Sequence, residues 1–375
     1  MTKSDNVAVP AEDASKWIRI LGSYREPKTS RGIFEIVVTI VPFVALWTLT
    51  WMALSVSYWL SLLLAVPTAG FLVRLFMIQH DCGHGAFFRR RSANDWVGRV
   101  IGVMTLTPYH CWRRTHATHH AAVGNLDRRG VGDVETLTVK EYLALPSRRR
   151  LVYRIFRNPI VMFGLVPAYL FLFHYRLPVG LMHAGIQPWL SAMTTNVAIA
   201  AVVAAMMALI GPWPFLLVHG PVMLISASIG VWFFFVQHQF EDTRWSHDDA
   251  WSFPEAALHG SSHYELPPVL AWFTGNIGVH HVHHLCSRIP FYRLPQVLDD
   301  HPELSSVGRL TFLQGFRCAT LALWDEEESR LVPFRELRTR RRRPSPGYGR
   351  TEPRRCEKRS DRDGGNIQQE HLRQS

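Results

Sequence analysis

Four apolar stretches, each long enough to cross a bilayer, constrain this chain more than any other feature of its sequence. They run over about 33–54, 58–78, 190–210 and 215–237. A membrane-spanning helix needs about 20 predominantly apolar residues, because the hydrocarbon core offers backbone N–H and C=O groups no water to bond. Only Ser55, Val56 and Ser57 separate the first two stretches, and Gly211, Pro212 and Pro214 break the last two apart. Each pair therefore reads as a helical hairpin. The expected fold is all-α: an integral membrane protein with four transmembrane helices in two hairpins, and a helical cap on the cytosolic side. Two shorter apolar runs, Trp96–Leu106 and Ile160–Phe173, suit helices lying at the interface, with deeper entry left open for the second.

Charge orients the hairpins. Neither hairpin turn carries Lys or Arg, whereas the N-terminal segment, the loops with Arg89–Arg91 and Arg148–Arg150, and the C-terminal tail all do. The positive-inside rule places these segments and both termini in the cytoplasm. Glu35 and Arg74, near the cytosolic ends of their helices, are expected to snorkel toward the headgroups. The chain has 375 residues and a net charge of +11. Much of that excess follows Arg330, in a tail also bearing Pro344, Pro346, Gly347 and Gly349. The tail is expected to be solvated and disordered, and no basic fold around it suggests nucleic-acid binding. The expected organisation is a polar segment over 1–32, a membrane domain over 33–325 and the basic tail over 326–375. The first apolar run follows a polar segment of 32 residues, so it should anchor the chain rather than be cleaved.

Nineteen histidines are unusual in so apolar a chain, and their spacing is more informative than their number. His80 and His84 stand in HDCGH, His116, His119 and His120 in HATHH, and His280, His283 and His284 in HHVHH. Residues three and four apart share a helix face, so each group presents its imidazoles from one surface. All three groups fall on the same side of the expected membrane, so segments some 200 residues apart converge there. Eight imidazoles exceed the four that one zinc takes and suit two ions. The five cysteines form no C-x-x-C pair, which argues against a thiolate zinc site or a disulfide framework. Asp81, Asp127, Asp133, Glu241 and Asp242 lie near the clusters and could orient ligand rings, although Asp133 reads more simply as surface charge.

The order HDCGH, HATHH, HHVHH around two hairpins resembles the membrane fatty acid desaturase family. The resemblance extends to PYHCWRRTHATHH (Pro108–His120), GNLDRRGVGD (Gly124–Asp133), FVQHQFEDTRW (Phe235–Trp245) and WFTGNIGVHHVHHLCSRIPFYRL (Trp272–Leu294), which look like the bacterial acyl-lipid branch with its delta-12 and delta-5 enzymes. It covers about residues 30–325. It implies that His80, His84, His116, His119, His120, His280, His283 and His284 bind two iron ions, and that His238, outside the three boxes, is a further ligand. His281 leaves a second register open for the last box, with His280 preferred because it completes H-x-x-H-H.

The resemblance further implies insertion of a cis double bond into a fatty-acyl chain, with O2 as co-substrate and two electrons from ferredoxin or a cytochrome b5-type donor. A lipid or alkane hydroxylase with a related histidine site is the nearest rival, and product analysis separates the two. A metal transporter would place ionisable residues along its spans, and these spans are nearly free of them. A metal-free membrane adaptor would be excluded by metal analysis.

Overall fold

The computed structural model describes residues 11–340, which are mainly helical. Among them, four helices are long and apolar enough to cross a membrane: Thr29–Ala53, Tyr58–His84, Ile186–Ile210 and Pro212–His238. They are called here the first to fourth spans. A four-residue turn joins the first two. Inside that hairpin, Ser61 Oγ donates to the Thr50 carbonyl at 2.9 Å, and the hydroxyls of Thr50 and Thr68 lie 3.2 Å apart. Such interhelical polar contacts are effective where lipid offers no competing water. The third and fourth spans are broken at Gly211, whose φ of 91° ends one helix before Pro212 begins the next. Val197, Val202 and Leu209 of the third span and Val41 and Leu63 of the first hairpin are exposed. So wide an apolar surface is stable only against lipid.

The second span is longer than its apolar run. It continues through His84 and stops where Gly85, at φ 68°, takes the left-handed conformation that caps a helix. The HDCGH box is thus the last turns of the span itself. The second span packs against the first and fourth, and the helix Tyr109–Ala122 lies beside its end. The run from Ile160 is helical as far as Leu172, with a π-helical turn at Val161–Leu165, and follows the helix Ser147–Phe156 after a bend of 60°. The bent pair forms at most a broken fifth span.

Arg74 does not snorkel. It is 2% exposed, pairs with a buried Glu35, donates to the Trp272 carbonyl and lies 3.9 Å from the centroid of the Trp272 ring. Glu35 also accepts from Arg31 at 2.7 Å. A charge this deep persists only when paired, and here the pair ties both helices of the first hairpin to the segment that leads into HHVHH.

The polar segment before the first span is also part of the packed structure. The helix Ala11–Leu21 inserts Trp17 and Leu21 into the main core, and Tyr24 donates to Asp300 at 2.8 Å. Short strands supplement the helices. Leu137–Thr138 (β1) pairs in parallel with Leu321–Asp325 (β4), which pairs antiparallel with Arg330–Pro333 (β5). His263–Glu265 (β2) pairs in parallel with Arg309–Thr311 (β3). Packed structure therefore continues beyond the boundary expected at 325: Leu331 and Val332 are buried, and β5 has its partner in β4. The expectation of a disordered tail falls, from residue 341 on, outside the described residues.

Candidate metal centre

Four helical segments bring the boxes together. The second span carries His80 and His84, Tyr109–Ala122 carries His116, His119 and His120, and His280–Leu285 carries His280, His283 and His284. His238 is the final residue of the fourth span. Their ligand nitrogens form two groups, each with all its atoms within 4.8 Å of one another. One contains His80, His84, His116, His120 and His283; the other contains His119, His238, His280 and His284. The groups adjoin, since the rings of His120 and His284 stack with centroids 4.0 Å apart.

Helical geometry explains this partition. Residues i and i+4 are offset by about 40° around a helix, whereas neighbours are offset by about 100°. Each box sends its i, i+4 pair to one group: His80 with His84, His116 with His120, His280 with His284. The remaining member, His119 or His283, is turned toward the other group. An H-x-x-H-H box therefore does not present three imidazoles to one point, but bridges two.

The nitrogens fit metal ions better than they fit one another. Nε2 atoms lie 3.0 Å apart in His84–His116, 3.2 Å in His116–His120 and 3.2 Å in His120–His283. In the second group the separations are 3.1 Å for His119–His238, 3.0 Å for His238–His280 and 3.1 Å for His280–His284. A neutral imidazole nitrogen carries one proton or one lone pair, so a continuous series of such contacts is poorly served by hydrogen bonds. Nitrogens about 2.1 Å from a shared ion would be separated by ~3.0 Å at right angles, matching the observed pairs. Burial, reinforced by neighbouring imidazoles, holds His120, His280, His283 and His284 well below the usual imidazole range. They are neutral near pH 7 and offer lone pairs.

Outer contacts set the orientation of several rings. His119 Nδ1 bonds Asp133, and His238 Nδ1 lies 3.2 Å from the Gly260 carbonyl. His80 Nδ1 lies 3.4 Å from Asp81, whose other oxygen accepts from the Phe291 amide at 2.7 Å. Trp112 stacks on His116 at 4.6 Å. Asp133 is thus more than surface charge. Its position, 14 residues after His119 and past Gly130 and Gly132, bears no helical relation to the box, so periodicity alone could not select it. Asp127 instead pairs with His247 at 2.8 Å, and Glu241 lies 3.7 Å from Arg330. Asp242 is exposed. His281 turns away from the cluster, with Nε2 3.0 Å from the Leu304 carbonyl, so His280 is the member of that adjacent pair that reaches it.

A cavity of about 570 Å³ meets the histidines at His80, His116 and His280 and continues between the second and fourth spans. Its walls are largely apolar, and its volume lies within the roughly 300–1,000 Å³ of small-molecule sites. The arrangement joins a histidine cluster able to hold metal ions to a compartment able to hold a hydrocarbon chain.

The pattern is shared with known proteins. The profile of the family described as fatty acid desaturase matches residues 56–314. A fatty acid desaturase of Bacillus subtilis (strain 168) is 43% identical over 318 residues, covering 85% of this chain and 90% of the relative. The sn-1 oleoyl-lipid 12-desaturase of Synechocystis sp. is 27% identical over 282 residues, covering 72% of this chain and 75% of that one. The sn-1 acyl-lipid omega-3 desaturase (ferredoxin) of the same organism is 30% identical over 235 residues, covering 59% and 61% of the two chains.

Proposed function

This chain belongs to the fatty acid desaturase family, and we propose that it places a cis double bond in a lipid-linked acyl chain, using two iron ions held by its nine clustered histidines. His80, His84, His116, His120 and His283 hold one iron, and His119, His238, His280 and His284 hold the other. The observation that carries this reading is the meeting of two imidazole groups with an apolar cavity. When bound, the irons supply the redox chemistry that couples O2 to hydrogen removal from carbon. The overall reaction turns –CH2–CH2–, O2, two electrons and two protons into –CH=CH– and two waters. The chain's own part is positional. Leu72, Phe76 and Phe234 line the cavity, keep water from the acyl chain and hold a methylene pair beside the histidines. Asp133 and the Gly260 carbonyl keep the rings of His119 and His238 aimed inward.

The electron donor is a ferredoxin or a cytochrome b5-type protein. The printed name of the Synechocystis omega-3 enzyme supports ferredoxin. The catalytic unit comprises residues 33–325 together with the helix Ala11–Leu21 and the start of the first span on one side and β5 on the other. Both termini and the histidine cluster face the cytoplasm, as the arginine-bearing loops suggest. A cysteine introduced at Thr118, on the exposed side of the HATHH helix, should react with an impermeant thiol reagent only from the cytoplasmic side. Labelling from the opposite side alone would reverse the topology.

Expression in a host without polyunsaturated lipids, with metal analysis and mass spectrometry of the lipids, tests the function. About two irons per chain and a new double bond on glycerolipid acyl chains are expected. Hydroxylated acyl chains without a double bond, or activity that tracks bound zinc, would refute the proposal. Asp133→Ala should lower metal affinity by roughly 10–100-fold, the usual cost of removing a ligand's outer partner. Chelator competition measures this, and unchanged metal retention would sever Asp133 from the site.

A further inference from the structure

The cavity has an open side and a closed end. Val131, Leu177 and Val179 line it and are exposed, whereas Leu72 and Met223, also in its wall, are buried. Along the fourth span the wall includes Met223, Ala227, Gly230, Phe234 and Gln237, flanked by Ser226, Val231 and Phe233. The first five recur every three or four residues and therefore share one helix face. The face starts beside the metal cluster, where the Phe234 ring lies 5.0 Å from His119 and 5.5 Å from His238. It ends at Met223, a further three turns from Phe234 toward the closed end.

Gly230 stands out on this face. Several helical glycines are required by packing: a Cβ at Gly98 would meet Tyr109 at 2.2 Å, and one at Gly83 would meet Trp112 at 2.8 Å, whereas Gly164 and Gly220 have open space beside them but do not line the cavity. A Cβ at Gly230 would meet nothing within 4 Å. Glycine lowers helix stability relative to alanine, and no neighbouring side chain needs the space that it leaves. That space belongs to the cavity. Gly230 lies eight residues before His238, about 12 Å along the helix axis at 1.5 Å per residue. It thus sits between the histidines and the closed end.

We propose that Gly230 is a specificity-determining residue that admits the distal part of the acyl chain past the metal cluster, and so sets how much chain is accepted beyond the new double bond. This rests on the desaturase reading above. A side chain at 230 would project into the path of the distal methylenes, while a shorter chain would end before reaching it. Misfit by one or a few methylenes in an apolar site changes specificity by about 10–200-fold.

The test expresses the full chain and its Gly230→Ala and Gly230→Leu variants in membranes supplied with acyl lipids of graded length. It measures unsaturated product by length, together with iron content. For Gly230→Leu, the ratio of long-chain to short-chain product is expected to fall at least about tenfold, with iron content unchanged. Gly230→Ala adds one methyl while favouring the helix, so it should move the ratio in the same direction even if the leucine variant fails to fold. An unchanged ratio in Gly230→Ala, or an equal loss at every length in a folded, iron-loaded Gly230→Leu, would overturn the assignment. Absence of any double bond with the unsubstituted protein would overturn the desaturase reading itself, and this assignment with it.

Discussion

His238→Ala should abolish desaturation and reduce bound iron from about two per chain toward one. In the four-histidine group, His238 Nε2 lies 3.1 Å from that of His119 and 3.0 Å from that of His280, so its ring links the second box to the third. Its loss would leave three imidazoles in that group. The fall in activity should exceed the roughly 100-fold upper cost of losing an outer hydrogen-bond partner. His219→Ala is the control. His219 lies on the same span, near its opposite end, and its ring stacks on Phe215 at 5.1 Å. It should retain both irons and most activity. If His238→Ala keeps full iron and near-normal product formation, His238 is a bystander and the ligand set stops at the three boxes.

Arg157→Met should be the most damaging substitution for stability among residues distant from the histidines. Arg157 is buried, yet its bonds are to uncharged groups: Nη2 donates to Gln239 Oε1 at 3.0 Å and to the Leu321 carbonyl at 2.7 Å. Nη1 donates to the Glu135 carbonyl and Thr136 Oγ1, each at 3.3 Å. The guanidinium thereby joins the loop before β1, the end of the fourth span and β4, while lying 5.3 Å from the Phe235 ring centroid. Methionine would keep the apolar stem but remove all four bonds. The cost should be on the order of 3 kcal/mol, as several buried acceptors lose a charged donor at once. Gln239 adjoins His238, so iron should also be lost more readily. Lysine keeps the charge but not the planar fork and should fall between the two. Half-lives of inactivation in detergent at raised temperature give the ranking, since unfolding of such a protein is commonly irreversible. A methionine variant that lasts as long as the parent would show that the four bonds contribute nothing.

Neither Arg157 nor its bonding was legible in the sequence. Its partners come from residues 135, 136, 239 and 321, and no periodic pattern links positions so far apart. The same limit applies to Arg74. Placement near a helix end suggested snorkelling, but Glu35 and Trp272 approach it only once the first hairpin packs against the segment before HHVHH. The strands were missed for a different reason. At two to five residues they are too short to display a period-two pattern, and they exist because remote segments pair. The end of the second span was placed too early because the apolar run stops before the helix does. Hydropathy marks where lipid ends, whereas Gly85 marks where the helix ends.

The sequence by itself determined the four-span helical architecture and picked out the nine histidines that converge. Long apolar runs have few stable alternatives to spanning helices in a bilayer, and two short breaks are enough to make two hairpins. The spacing of the boxes, read on helices, likewise selects imidazoles able to converge. Tertiary structure decided how those imidazoles are divided. Helical angles separate His119 from His116 and His120, and His283 from His280 and His284, but only the packing of four helical segments from different parts of the chain gives each direction a group to join. Tertiary structure also brought Asp133 to His119 and shaped the cavity past Gly230. Spacing along a helix is a local property of covalent geometry, whereas a coordination cluster and a cavity are defined by distances between segments that only folding brings together.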